Sequence, residues 1–511
     1  MKSLFKSVAI ITIFAVITRL LGFLFRIYLS RELGSESLGI YQVGFSIFAV
    51  LLMLVSTGIP LVVSKLTAKH NAQKDKLSEH KMMSSSLIFA VVFSVLICLL
   101  ILIGKYPISL ILTNPASVTV LLILLPAVAF SAIYSVFRGN LWGKDKYFGV
   151  CATELFEQVL RIGICILFFT LLKNQLDPLI GATLSLTIAC FLGAVLVVIL
   201  YFVQGGRLKK PDNSFKEVLK VSTPITAVRF ATSLMQPLVA VILPLILIKV
   251  GYTSSQALGL YGIASGMTFP LLFVPTTLVG SLSMALIPDL TTAQTNCDTG
   301  HVKNRTSSSI AFALFISTFL VPLYIAVGEQ IGLFFYDNAL AGNMLAKFAW
   351  TMIPMGLGNI TTAILNGLGY EKRSFVNSLL GSVVMLIGTI LLPRVAGIDA
   401  LGYSLGASML LTTLLNLICI KKKVKVSLNI LKPLMKMILI SIPICALTSF
   451  TAGILQNYFT LFFTLMFSCL LGGTFFFLLC VIFKVLNIDG YVVKIKKFNL
   501  KKLKIFKNKS K

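Results

Sequence analysis

Acidic side chains are scarce in this chain: 17 Asp and Glu stand against 45 Lys and Arg in 511 residues. All charged residues together make up 12%, about half the share of an ordinary soluble domain, so too few exist to coat a water-soluble surface of this size. Histidine occurs three times, at His70, His80 and His301, too far apart to indicate a metal or acid–base cluster. The nine cysteines show no repeated spacing and no Cys-x-x-Cys pair, which excludes a disulfide-stapled secreted fold. Cys98, Cys165, Cys190, Cys419, Cys445, Cys469 and Cys480 lie in or at the ends of apolar runs and read as small core residues. A nucleotide motif is missing too. Gly139–Lys144 (GNLWGK) is one residue short of a phosphate loop and is followed by Asp145 instead of Ser or Thr. No cofactor or metal is indicated, and the aqueous segments, the longest outer one around 328–343, are too short for a catalytic domain.

What the chain has instead is 57% hydrophobic residues, several runs of which reach the roughly 18–20 residues that span a bilayer. The first run, near 7–29, is too long for a signal peptide, contains Arg19 and Arg26, and lacks a following small-residue cleavage site. The pattern predicts an all-α polytopic membrane protein of about fourteen transmembrane helices. They fall near 7–29, 42–64, 84–104, 117–137, 150–172, 179–203, 219–248, 259–286, 307–328, 344–367, 375–393, 400–420, 434–454 and 459–483. Pro224, Pro237 and Pro244 in the seventh and Pro270 and Pro275 in the eighth suggest kinks, tolerated where neighbours or cavity water satisfy the freed carbonyls.

The net charge of +28 would suit nucleic acid only on a soluble basic domain, and none is left over. With both termini placed inside, 35 basic residues fall on the cytoplasmic side, Lys65, Lys69, Arg138, Lys144, Arg207 and Lys421 among them. Six fall outside: Arg31, Lys105, Lys173, Lys249, Lys347 and Arg394. That asymmetry is the positive-inside pattern of a cell-membrane protein with cytoplasmic termini. The stretch 494–511 holds nine lysines and no acid; it reads as a solubilising tail, with contact to anionic lipid headgroups as the alternative.

Two stretches recur about 220–226 residues apart. Ser35–Phe48 (SESLGIYQVGFSIF) aligns with Ser255–Thr268 (SQALGLYGIASGMT), pairing Gly39 with Gly259 and Tyr41 with Tyr261. Asn140–Lys146 (NLWGKDK) aligns with Asn366–Lys372 (NGLGYEK), pairing Gly143 with Gly369. A repeat of six spans is even, so both copies keep one orientation, and paired lobes of this kind suit alternating access. The expected organisation is an N-terminal lobe over 1–203, a basic linker over 204–218, a C-terminal lobe over 219–420, two extra spans over 421–484 and a basic tail over 485–511.

Four basic residues remain inside the spans: Arg19, Arg26, Arg161 and Arg229. An arginine at the bilayer centre costs about 2.5–3.5 kcal/mol on insertion scales and normally faces a partner or a wet cavity. Arg19 and Arg26 are seven apart and share a helix face; Arg229 sits in a polar stretch with Thr226, Thr232, Ser233 and Gln236. Arg161 follows Glu157 by one turn, the favourable order for an ion pair, which suggests a structural or gating pair. Only Glu154 and Glu157 bring negative charge into a span. A cation-coupled drug exporter would usually need an embedded carboxylate, whereas arginines suit an anionic, phosphate-bearing substrate.

The blocks Thr18-Arg19-Leu20-Leu21-Gly22-Phe23…Arg26, Leu33-Gly34…Leu38-Gly39-Ile40-Tyr41-Gln42 and Ser56-Thr57-Gly58-Ile59-Pro60…Ser64-Lys65 resemble the stage V sporulation protein B family. That family lies among the polysaccharide transporters of the multidrug/oligosaccharidyl-lipid/polysaccharide exporter superfamily, alongside the lipid II flippases. The resemblance implies a flippase, not an enzyme. It would carry an undecaprenyl-pyrophosphate-linked peptidoglycan precursor outward for cell wall or spore cortex, beside the cell-wall synthesis machinery. It also implies that first-helix arginines line the cavity. Arg19 matches such a position, while Arg26 comes seven residues later where the family pattern has six. An acidic residue that some relatives carry near Leu38 and Gly39 has no equivalent. The alternative is a cation-coupled multidrug exporter of the same superfamily; a polytopic glycan polymerase would need larger outer loops.

Overall fold

The computed structural model describes residues 2–173, 175–211, 230, 233–424, 430–483 and 485. Among these residues every regular element is helical. The first seven helices are α1 (Lys2–Ser56), α2 (Gly58–Ala72), α3 (Lys76–Ile103), α4 (Lys105–Ile111), α5 (Pro115–Gly143), α6 (Tyr147–Leu171) and α7 (Pro178–Val203). Next come α8 (Met235–Lys249) and α9 (Ser254–Gly262), which runs into a π-helical turn at Ile263–Thr268.

Ten described helices are long and apolar enough to cross a membrane, or eleven if the pair broken at Phe273 is one span. The expected fourteen are not reached by length and apolarity alone, for local reasons. The stretch Ile13–Ala72 counts once although it is 60 residues long. At 1.5 Å per residue, that is about 90 Å, against a hydrocarbon core of about 30 Å. The expected loop between the first two spans is itself helical, and α1 departs from helix only at Gly34 (φ 71°, ψ 177°). A side chain is disfavoured at that positive φ, so glycine marks the break. Helix α6 carries Glu154, Glu157 and Arg161, and α8 is only 15 residues long. The eighth span is interrupted beside Pro270 and Pro275, as the prolines suggested. The segment 328–343, expected as a loop, is mostly helical and turns at Asp337 in the left-handed region.

By contacts the chain divides into two compact units. One comprises Met1–Pro270 with Ser382–Ser404, the other Leu271–Gly381 with Leu405–Lys511. In the first, α5 packs against α1, α2, α3 and α7. Phe48, Leu121, Leu124, Phe137 and Met82 are fully buried there. Hydroxyls tie the helices by donating to carbonyls of neighbours: Ser117 to Ile40 (3.3 Å), Ser135 to Val55 (3.2 Å) and Thr187 to Ile123 (2.8 Å). Bonds of this kind are worth on the order of 0.6 kcal/mol each in a membrane protein, so they set register more than stability.

Glycines permit the closest approaches. A Cβ at Gly39 would stand 1.9 Å from the Leu258 carbonyl oxygen, and one at Gly262 would stand 2.2 Å from that of Ser35. The two Leu-Gly-x-Tyr copies therefore meet backbone to backbone, the small-residue crossing that close helix packing in membranes needs. Gly139 and Gly143 do the same against Pro60 and Ser64, so the GNLWGK stretch is a helix-packing motif.

In the second unit, Leu290, Leu314, Ile360, Ile364 and Phe476 form the centre of the core. Asn416, fully buried, donates to Thr361 (3.3 Å) and Thr362 (3.1 Å) and accepts from Asn377 (2.9 Å). A buried amide with its groups satisfied specifies the packing without a desolvation penalty.

Candidate functional site

The two halves of α1, on either side of Gly34, converge on one small cavity. The first half supplies Phe25, Arg26 and Leu29, and the second supplies Leu38, Tyr41, Gln42 and Phe45. Spacings of three and four residues place each set on one helix face. Arg161 enters from α6 and Gly266 from the π-helical turn, closing a cavity of about 50 Å³. A π turn inserts one residue into the helical ladder and often marks a functional position. Glycine gives the Leu38 side chain its room there: a Cβ at Gly266 would lie 2.6 Å from a Leu38 methyl and force that side chain to shift.

The polar groups of the lining are two guanidiniums, the Tyr41 hydroxyl and the Gln42 amide; none of the lining residues is acidic. Phe25, Leu29, Leu38 and Tyr41 are buried, so the arginines stand on an apolar floor. The Arg161 guanidinium lies over the Phe25 ring at 4.8 Å, an attraction of about 0.5–2 kcal/mol depending on desolvation. Its Nε is buried and makes no hydrogen bond. Two positive charges sharing one low-dielectric cavity repel by on the order of a few kcal/mol, which an entering anion relieves.

The structure does not bring all the expected residues together. Arg26 lines the cavity; Arg19, two turns earlier on α1, is exposed and is not part of the lining. Arg229 lies outside the described residues. Glu157 and Arg161 share a face of α6, but no ion pair forms between them among the described residues. Arg161 reaches over Phe25, while Glu157 packs against Gly193 of α7 and accepts a hydrogen bond from the Cys190 thiol at 3.5 Å. Each side chain finds a neighbour on a different helix, and helical spacing could not show that choice. Tyr41 stood out in the sequence only through the Leu-Gly-x-Tyr repeat, Gln42 only through the block Leu38-Gly39-Ile40-Tyr41-Gln42, and Arg161 as one of four basic residues left inside the spans.

A second polar cluster lies in the same unit. Glu79, 4% exposed, takes Lys144 Nζ at 2.6 Å and Asn140 Nδ2 at 2.8 Å, and Asn140 also donates to Thr67 at 3.2 Å. Beside it the Arg207 backbone N–H donates to His80 Nδ1 (3.0 Å), and Tyr201 donates to the Arg207 carbonyl (3.0 Å). Arg138 pairs with Glu154 at 2.8 Å and lies over Trp142. The Glu79 carboxylate is satisfied by its neighbours and the His80 and Tyr201 bonds hold the start of the basic linker, so these contacts are structural; the Arg138 Nε is buried without a hydrogen-bond partner.

Comparison with known proteins agrees with this architecture. Stage V sporulation protein B of Bacillus subtilis (strain 168) is 23% identical over 473 residues, covering 89% of this chain and 90% of its own length. A solved structure of lipid II flippase MurJ in an inward closed conformation matches 93% of this chain and 98% of its own with a TM-score of 0.72 at 15% identity. An inward-facing multidrug resistance MATE family transporter of the MOP superfamily matches 80% of this chain and 94% of its own, with a TM-score of 0.67 at 16% identity. At these identities the solved structures establish the fold. A multi-pass membrane protein with that fold also matches, over residues 4–294, the family described as polysaccharide biosynthesis protein. More than half of the sequence is covered by that match, and the chain belongs to the polysaccharide biosynthesis protein family.

Proposed function

We propose that the protein is a flippase that carries a lipid-linked oligosaccharide, its pyrophosphate held by arginines, from the inner to the outer leaflet by alternating access. An undecaprenyl-pyrophosphate-linked peptidoglycan precursor, used for cell wall or spore cortex, is the substrate class this reading favours. The observation that carries it is the lining of the cavity: guanidinium, hydroxyl and amide, with no carboxylate among the lining residues. Such a lining attracts an oxyanion, which arginine binds through its planar fork. It offers no carboxylate to a coupling cation and sets two guanidiniums beside it, and the multidrug-exporter alternative loses support for that reason.

In this reading Arg19, Arg26 and Arg229 hold the anionic headgroup while the polyprenyl tail stays in lipid, and no nucleotide is consumed. Moving one elementary charge through 100 mV is worth about 2.3 kcal/mol, so an anionic headgroup leaving an inside-negative cell travels downhill. Cytoplasmic termini, alternating access by two six-helix lobes, and the lysine-rich tail as a solubilising element belong to the same proposal.

The test is a leaflet assay in vesicles, paired with identification of the lipid that accumulates on depletion. Arg26→Ala should slow translocation of lipid-linked precursor by at least about 30-fold, the equivalent of losing a charged contact in the cavity of roughly 2 kcal/mol, and Arg19→Ala and Arg229→Ala should each slow it measurably. Normal translocation by all three inserted variants would remove the cationic-cavity mechanism. Drug sensitivity on depletion, with no precursor build-up, would favour the exporter.

A further inference from the structure

We infer that Arg161 is a direct anion ligand, working with Arg26 as a two-guanidinium clamp on one phosphate-sized group of the substrate. The inference rests on the flippase reading for the identity of the molecule that carries the anion.

Four observations support it. First, Arg161 and Arg26 line the same cavity although they come from α6 and α1. Second, the Nε of Arg161 is buried without a hydrogen-bond partner, and a buried charged donor left unsatisfied costs more than almost any other polar group. Third, nearby acids do not pair with it. Glu157, one turn before it on α6, takes the Cys190 thiol instead. Fourth, the guanidinium lies over the Phe25 ring at 4.8 Å, and Phe25 itself lines the cavity, so the contact holds the charge at the cavity wall without neutralising it.

The size of the space narrows the ligand. About 50 Å³ holds a few small polar groups, such as the oxygens of a single phosphate, and not a sugar. The absence of a side chain at Gly266 and the presence of Tyr41 and Gln42 complete a site for one tetrahedral oxyanion. The saccharide must then lie outside this pocket, and the pocket reads only the phosphate end.

The experiment titrates inorganic pyrophosphate into the full-length protein in phosphatidylcholine nanodiscs and follows the thermal midpoint. Wild type should be stabilised. R161A and R161Q should each need at least ten times more pyrophosphate for half of the shift, and R161K should recover part of the loss. A purely structural role would lower the midpoint without moving the half-saturating concentration. Wild-type half-saturation in R161Q overturns the inference even where R161A folds poorly, as does a wild type that pyrophosphate does not stabilise. Polyprenyl diphosphate in the disc should compete with pyrophosphate; competition by phosphatidylglycerol alone would assign the site to bulk lipid and overturn the substrate role. The leaflet assay reports separately. A wild type that binds pyrophosphate through Arg161 but moves no precursor removes the flippase reading and leaves the anion site standing. A wild type that translocates while R161Q binds normally removes Arg161 alone.

Discussion

Replacing Lys144 by methionine should destabilise the protein by about 3–5 kcal/mol, because it strands the Glu79 carboxylate in a buried site without its counter-ion. Glu79 is 4% exposed and depends on Lys144 at 2.6 Å and Asn140 at 2.8 Å. The Asn140 bond survives the substitution, which places the expected loss toward the lower end of that range. Breaking one side of a buried pair is worse than removing both. The double variant E79Q/K144M should therefore recover most of the loss, since a neutral amide can still accept from Asn140. Thermal or denaturant unfolding of the purified single and double variants gives the coupling energy directly. A K144M loss below about 1 kcal/mol would show that Glu79 is compensated by something other than the lysine.

The second large effect concerns two glycines that the internal repeat treats as equivalent. Gly39→Ala should cost more than about 3 kcal/mol, beyond the usual range for an added methyl, because the new Cβ would stand 1.9 Å from the Leu258 carbonyl oxygen. Backbone cannot rotate away as a side chain can, so the two helices must separate along their whole crossing. Gly259→Ala meets nothing nearer than the Ser35 hydroxyl at 3.4 Å, and its loss should stay below about 1 kcal/mol, partly offset by the better helix propensity of alanine. Comparing the two thermal midpoints checks the pair. Equal losses would mean that the crossing does not lie where the structure places it.

These glycines show how far the repeat could be read. Its first block located a helix crossing correctly, yet the tight contacts belong to Gly39 and Gly262, and Gly259 is nearly free. The second block behaves similarly. Gly143 is helical and pressed against the Ser64 carbonyl, whereas its counterpart Gly369 has a positive φ and faces open space where a side chain would point. Duplicated sequence preserves the helix plan, but each copy then packs against different neighbours. GNLWGK makes the same point. Its residues argued only against a nucleotide, and their use, Asn140 and Lys144 on Glu79 with Gly139 and Gly143 in close packing, depends on helices some sixty to eighty residues away.

Composition and hydrophobic run length were enough to establish an all-helical membrane protein, and the opening arginine and glycine blocks were enough to point to its family. Those properties are local: a bilayer selects apolar stretches by length, and helical period assigns each residue to a face. The candidate site was legible only in part. Counting the basic residues left inside the spans singled out Arg26 and Arg161, but the spacing of Glu157 and Arg161 suggested a pair that the described structure does not form. What decided otherwise was which helix lies across each face. Helix α1 turns at Gly34 and brings Phe25 under Arg161, and α7 brings Cys190 to Glu157. Partners on a shared face are fixed by packing between distant segments, and four-residue periodicity carries no information about it.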